Sequence, residues 1–242
     1  PGSLVVSAFA PATDARLAVT PQLKVDGEAN RLLLIDLGRG QDRLGGSCLE
    51  QVNGKFSDQV PDLDHADDLS NFFAAIQELI ADGHLLAYHD RSDGGLITTL
   101  CEMAFSARCG LALSFAPALG DDPDKLRAHL FAEEPGAVIQ VSETQLQAVL
   151  TCFSSHGLQD LVTGIGGAVS GQTLSVEVDG RVCLQTGLPG LHQAWSETSF
   201  EVQKLRDHPD CAKEEFAQTL HWDKPYLKPK LSFDPLENPV TP

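Results

Sequence analysis

Basic residues are scarce in this 242-residue chain: 17 Lys and Arg stand against 34 Asp and Glu, for a net charge of −17. A phosphate backbone or an anionic membrane surface needs clustered cations, so neither nucleic acid nor a membrane is an expected partner. A small nucleotide is not excluded, because a divalent cation and helix ends meet its charge locally. No apolar run approaches the roughly 20 residues of a membrane span, and no secretory leader pattern opens the chain. The six cysteines (Cys48, Cys101, Cys109, Cys152, Cys183 and Cys211) form no C-x-x-C pair and show no zinc spacing. They read as reduced, small apolar fillers of a cytoplasmic protein. A glycine-rich turn, Gly38-Arg39-Gly40 with Leu44-Gly45-Gly46-Ser47, lacks the G-K-[ST] of a Walker A loop and the dinucleotide fingerprint. No internal repeat is visible. The only methionine is Met103, so no initiator is present, and both ends read as cuts through a longer polypeptide.

What is present concentrates in one stretch, Ala87-Tyr88-His89-Asp90-Arg91-Ser92-Asp93-Gly94-Gly95. The apolar run Leu85 to Tyr88 before it suits one buried strand. Ile97, Leu100, Cys101, Ala104 and Phe105 after it recur at helical spacing. The polar cluster therefore lies on a strand-to-helix turn, with Asp93 as N-cap and Gly94-Gly95 in the first helical turn. Such a turn offers N–H groups and the positive end of a helix dipole to an anion. Asp90, Ser92 and Asp93 add the hard oxygens that Mg²⁺ prefers. A Mg-bound nucleotide suits both halves, although Gly-Gly before a helix is also an ordinary tight turn. An EF-hand is a poor match, because Gly94 falls where that loop needs an oxygen ligand.

Along the chain, residues 3–9 read as an orphan strand, followed by a turn at Pro11 to Asp14 and a linker to about Lys24. Arg31 to Leu37 reads as a buried strand carrying Asp36, either a backbone partner or a ligand-side carboxylate. A short helix ends near Asn53-Gly54. Asp67 and Asp68 cap an amphipathic helix with Leu69, Phe72, Phe73, Ile76, Leu79 and Ile80 on one face. Gly110 closes the helix that follows the polar stretch. Leu111 to Phe115 is a strand, Lys125 to Phe131 a short helix, and Ala137 to Val141 a strand. Glu133 and Glu134 either lie near the site or form an exposed acidic turn. Ser142 and Gln145 form a capping box for a helix through Phe153. Leu161 to Val169 is a strand. Thr173 to Val178 and Arg181 to Gln185 form a hairpin across Asp179-Gly180, a type I′ turn signal. Pro189 opens a helix through Leu205, and the prolines from Pro209 onward predict an irregular linker. The resulting fold class is α+β: a mixed β-sheet packed with helices, and an extended Pro-rich C-terminal linker.

Four segments, LLLIDLGRGQDRLGGS (32–47), LLAYHDRSDGGL (85–96), LFAEEPGAVIQV (130–141) and LHQAWSETSFEVQKLRDHPDCAKEE (191–215), together resemble the large fused form of the bacterial phosphoribosylformylglycinamidine synthase family. That family pairs A-type with B-type domains, as aminoimidazole ribonucleotide synthetase and selenophosphate synthetase do, and adds a glutaminase. The resemblance implies a terminal strand and linker of an A-type domain over 1–24, the second B-type domain over 25–188, and a helix and linker toward the glutaminase domain over 189–242. It implies an ATP- and glutamine-dependent ligase that phosphorylates the formamide oxygen of formylglycinamide ribonucleotide and displaces phosphate with ammonia. The implied cofactors are Mg²⁺ and ATP/ADP, with Asp90 as a metal ligand and Ser92 as a nucleotide contact. The resemblance leaves open whether Asp90 serves the active site or an auxiliary nucleotide site that holds the assembly together and docks the glutaminase. His89, Arg91, Asp93, Gly94 and Gly95 are candidate supports. His89 either contacts substrate or is satisfied structurally; Arg91 either meets a phosphate or pairs with an acid. No glutaminase Cys-His-Glu set is recognisable, so this segment alone is expected to lack synthase activity. An independent relative of the selenophosphate synthetase type is the remaining reading.

Overall fold

The two continuous apolar runs of the sequence become neighbouring strands in the middle of one sheet. The computed structural model describes residues 6–12, 14–120, 122–224 and 230–234. Its elements run β1 (Asn30–Asp36), α1 (Cys48–Val52), α2 (Ala66–Ala81), β2 (Ala87–Asp90), α3 (Gly95–Ala107), β3 (Gly110–Phe115), α4 (Pro123–Phe131), β4 (Gly136–Ser142), α5 (Leu146–Ser155), β5 (Val162–Val169), β6 (Thr173–Val178), β7 (Arg181–Gly187), α6 (Leu188–Arg206) and α7 (Pro209–Gln218). The strands form a seven-stranded sheet in the order β2-β4-β1-β5-β3-β6-β7. Neighbours are antiparallel except β3 and β6, which run parallel. This is the expected mixed sheet packed with helices.

Strand β1 shows why its sequence is apolar without interruption. Leu32 and Leu34 pack with Val138 and with Leu96, Leu100 and Met103 of α3. Leu33 and Ile35 point the other way, to Ile139 and Val141, Phe72, Ile76 and Leu79 of α2, and Val149 and Phe153 of α5. Both faces of the strand are covered, so the period-two alternation of a half-exposed strand disappears. Across β6 and β7 the hairpin turn has Asp179 and Gly180 at φ 53° and 70°, the left-handed pair that a type I′ turn requires.

Several local expectations change. Residues 6–9 are not strand, and 3–5 lie outside the described residues. Part of the following linker covers the exposed edge of β2, where Tyr88 N–H donates to Thr20 C=O at 3.1 Å and Leu23 is buried. The capping residue of α2 is His65, and Asp68 instead pairs with Arg39. Leu69 and Phe73 of α2 are exposed, so its buried stripe is narrower than its apolar pattern. Arg108, at φ 52°, closes α3, and Gly110 already belongs to β3. Of the capping box before α5, Ser142 Oγ accepts from Gln145 N–H at 3.3 Å, while the helix cap itself carries no side-chain bond. The irregular tail holds α7, because Pro209 sits in the first helical turn, where its missing N–H costs nothing. Phe200 of α6 stacks on Phe216 of α7 with centroids 4.3 Å apart. Cys101, Cys109 and Cys152 are buried fillers, but Cys183 and Cys211 are exposed.

Two buried ion pairs hold together the loops at one end of the sheet. Glu134, 0% exposed, takes Arg43 Nε at 2.7 Å and Nη2 at 2.8 Å. Arg91 donates from Nη2 to Asp36 Oδ1 at 2.5 Å and to Pro135 C=O at 3.0 Å, and from Nε to Glu134 C=O at 2.5 Å. Thus the turn before β4 is not an exposed acidic turn: Glu134 is a core anion. Arg91 is paired with an acid, Asp36. Gly136 follows at φ 153°, and a Cβ there would strike Ile35 C=O across the ladder.

Glu134→Ala leaves the buried Arg43 guanidinium with only the longer, more exposed contact to Asp64 at 3.3 Å and is expected to cost about 3–5 kcal/mol in urea unfolding; a loss under about 1 kcal/mol would remove the pair from its organising place. Gly136→Ala is expected to prevent stable folding. Gly190→Ala, in α6 with open space around it, is expected to raise stability by about 0.5–1 kcal/mol.

Candidate functional site

Asp90 is the last residue of β2, paired in register with Ala137 of β4. Strand alternation puts Tyr88 and Asp90 on one side and Ala87 and His89 on the other. The Tyr88 hydroxyl donates to Asp90 Oδ1 at 2.5 Å. Burial, and then the neighbouring Asp90, hold the Tyr88 phenol well above its usual range, so it stays a donor. The Asp90 carboxylate itself is exposed, and among the described residues no Lys, Arg or His side chain forms an ion pair with it. It is an oriented anion without a protein counter-charge.

His89 points away from that carboxylate. Its Nε2 lies 3.0 Å from Glu102 Oε2, and Nδ1 lies 2.8 Å from the backbone oxygen of Asp90. Glu102 in turn accepts from Trp195 Nε1 at 2.9 Å, which joins α3 to α6. Both ring nitrogens are engaged within the chain. Asp36, at the end of β1, accepts from Arg91 and from the N–H groups of Gly38 (3.2 Å) and Gly40 (2.6 Å). It is a backbone partner that shapes the first glycine-rich turn.

The turn into α3 differs from the expected open cradle. Asp93 is exposed and does not cap; the cap position is Gly94, at φ 83°, with no side-chain cap bond. Gly95, at φ 73°, donates its N–H to Ser92 C=O at 2.9 Å. This tight closure throws the Asp93 side chain outward. The Gly94 N–H is taken by Glu133 Oε1 at 2.8 Å, and the same oxygen takes Cys48 N–H, also at 2.8 Å. One carboxylate thus caps the starts of both α1 and α3, where a negative charge is favoured. The N–H groups of Gly94 and Gly95 are satisfied within the chain and do not face a ligand.

Ser92 stays half-buried beside this turn, its N–H donated to Thr99 Oγ1 at 3.3 Å. Burial, with Glu133 and Asp93 nearby, pushes the Cys48 thiol up, so it stays protonated and is no nucleophile. The geometry therefore joins Asp90, Ser92 and Asp93 at one loop, with Glu133 and Cys48 added from distant segments. Sequence reasoning gave Tyr88 no role, although its place two residues before Asp90 on one strand marks it as a same-side neighbour. Nothing local marks the bonds of Glu133, because its partners are set by the sheet order.

Residues 29–179, more than half of the chain, match the family described as AIR synthase related protein, C-terminal domain. Among solved structures, T. maritima PurL complexed with ATP superposes with a TM-score of 0.54 at 13% identity, over 72% of this chain and 27% of that one. T. maritima PurL complexed with FGAR gives 0.52 at 14% identity, over 73% and 30%. E. coli HypE, a hydrogenase maturation protein, gives 0.48 at 21% identity, over 71% and 52%. At these identities the PurL likeness is one of fold. The chain spans about a quarter of the length of the PurL chain complexed with ATP. On the family match, this chain belongs to the AIR synthase related proteins and contains their C-terminal domain.

Proposed function

We propose that this chain is the B-type part of an ATP- and glutamine-dependent ligase that converts formylglycinamide ribonucleotide to the amidine in purine biosynthesis. One observation carries the reading: an exposed carboxylate, Asp90, oriented by Tyr88 at the end of β2, with which no basic side chain among the described residues forms an ion pair. The four motif segments, the family match over 29–179 and the shared fold with PurL, one structure of which holds ATP, support it. The domain limits proposed are 25–188 for the B-type unit, with 1–24 and 189–242 connecting to an A-type synthetase domain and a glutaminase domain. Because so little of the PurL length is spanned, the activity is assigned to the complete assembly, and the isolated chain is proposed to be inactive.

The donor set fits Mg²⁺, which takes one or two carboxylates and completes its shell with water and phosphate oxygens. Asp90 would hold it, and Ser92 would meet a nucleotide phosphate through its hydroxyl. The ion, when bound, supplies positive charge to phosphate oxygens during phosphoryl transfer. Tyr88 fixes the Asp90 carboxylate through a neutral hydrogen bond and so adds no charge that would compete with a cation. Glu133 keeps phosphate off the Gly94 N–H, so recognition here runs through side chains and not through the backbone of the turn. The second reading gives Asp90 to an auxiliary nucleotide that holds the assembly together.

In the complete enzyme, Asp90→Asn is expected to lower turnover at least about 100-fold, equivalent to about 2.7 kcal/mol, and to raise the Mg²⁺ concentration required, with melting unchanged. Normal turnover with a normal Mg²⁺ requirement would sink the catalytic reading. A fall in melting temperature or in glutaminase association, with the chemical step intact, would transfer Asp90 to the auxiliary site.

A further inference from the structure

On the opposite side of the sheet from α3, helices α2 and α5 bring together three side chains that the proposed ligase does not use. Cys152 and His156 are four residues apart on α5 and its C-terminal cap, so they share one face. Glu78 projects from α2 against them. His156 Nε2 lies 3.0 Å from Glu78 Oε2. The sulfur of Cys152, the His156 nitrogen and a Glu78 oxygen all lie within 4.8 Å of one another. Cys152 is buried in the lower core, and its sulfur also reaches Ala75 C=O at 3.8 Å. Asp82, at the end of α2, adds negative potential to the same corner.

We infer that Glu78, Cys152 and His156 form a binding site for a borderline-soft divalent cation, Zn²⁺, that clamps α2 to α5. The donor chemistry selects the metal. A thiolate and an imidazole disfavour Mg²⁺ and Ca²⁺, while one sulfur, one nitrogen and one carboxylate oxygen suit zinc. Zinc bond lengths of about 2.0–2.3 Å in tetrahedral geometry place ligand atoms about 3.3–3.6 Å apart. The His156–Glu78 pair already lies near that separation, and a shift of at most about 1.5 Å brings in the sulfur. Glu78 is 52% and His156 23% exposed, so solvent supplies the fourth ligand and an entry route from the surface is open. On binding, the Cys152 thiol gives its proton to solvent as the sulfur–metal bond forms. The site lies outside every C-x-x-C or H-x-x-x-H pattern because Glu78 and Cys152 meet only in the folded sheet.

The test loads the protein with Zn²⁺ or Co²⁺ in a background where the exposed Cys183 and Cys211 are both serine. One equivalent of Zn²⁺ retained through dialysis is expected, with a thiolate-to-cobalt charge-transfer band when Co²⁺ replaces it. Cys152→Ser is expected to abolish the band. The surface variants His156→Gln and Glu78→Gln, which keep the fold, are each expected to weaken Zn²⁺ retention about 10-fold or more and to abolish the rise in melting temperature on metal addition. No retained zinc, a band that survives Cys152→Ser, or affinity unchanged in both surface variants would overturn the inference and leave an ordinary surface ion pair beside a core thiol.

Discussion

The end of the sheet that carries Asp90 depends on one buried guanidinium. Arg91 has a side chain with 0% exposure, and it reaches Asp36 at the end of β1 and the carbonyls of Glu134 and Pro135 before β4. Three loops that come from separate parts of the chain are thereby fixed to one planar group. A lysine offers a single charge point and could not serve all three directions. Burying a cation is costly, and here Asp36 and two carbonyls offset that cost while Nη1 keeps no partner among the described residues. The consequence for the neighbouring residue is geometric. With Arg91 turned inward at the end of β2, Asp90 is turned outward, and Tyr88 two residues earlier lies on the same side to orient it.

The segment Glu133-Glu134-Pro135 completes this frame. Glu133 caps α1 and α3, Glu134 binds Arg43, and the two carbonyls bind Arg91. Arg43 also reaches Asp62 C=O at 2.7 Å, which ties in the loop before α2. Charge-assisted bonds of this kind contribute more than neutral ones and hold specific angles. The exposed carboxylate of Asp90 therefore stands beside a frame of charge-assisted bonds drawn from several loops.

Sequence periodicity made β1, β4, the β6–β7 hairpin and most helices legible, because each is signalled within a few residues. Leu32 to Ile35 could be read as a strand buried on both faces, and Asp179-Gly180 named its own turn. The order β2-β4-β1-β5-β3-β6-β7 could not be read, since pairing energies depend on partners tens of residues away. The same distance hid the partners of Glu133 and Glu134, which looked like an exposed turn. It also made Gly94-Gly95 look like an open cradle. Pro209 misled for another reason: proline breaks a helix only after its first turn, and α7 begins on it. Leu69 and Phe73 showed the limit of apolar patterning, since a stripe on a helix does not reveal how much of it the sheet covers.

The position of Glu133 constrains what a nucleotide could do at this turn. A phosphate placed against Gly94 would put a second anion where Glu133 already accepts two N–H groups. Displacing Glu133 would break two charge-assisted bonds, each worth about 1.5–3 kcal/mol, taking the acceptor from the Gly94 N–H before α3 and from the first N–H of α1, which keeps its Ser47 cap. Keeping it leaves phosphate beside the carboxylates of Glu133, Asp90 and Asp93, in a chain whose net charge is −17. Neither state is tolerable without added positive charge, and the buried arginines nearby cannot supply it, because Arg43 and Arg91 are committed to Glu134 and Asp36. In the proposed reading a cation at Asp90 supplies that charge, at a carboxylate with which no basic side chain among the described residues forms an ion pair.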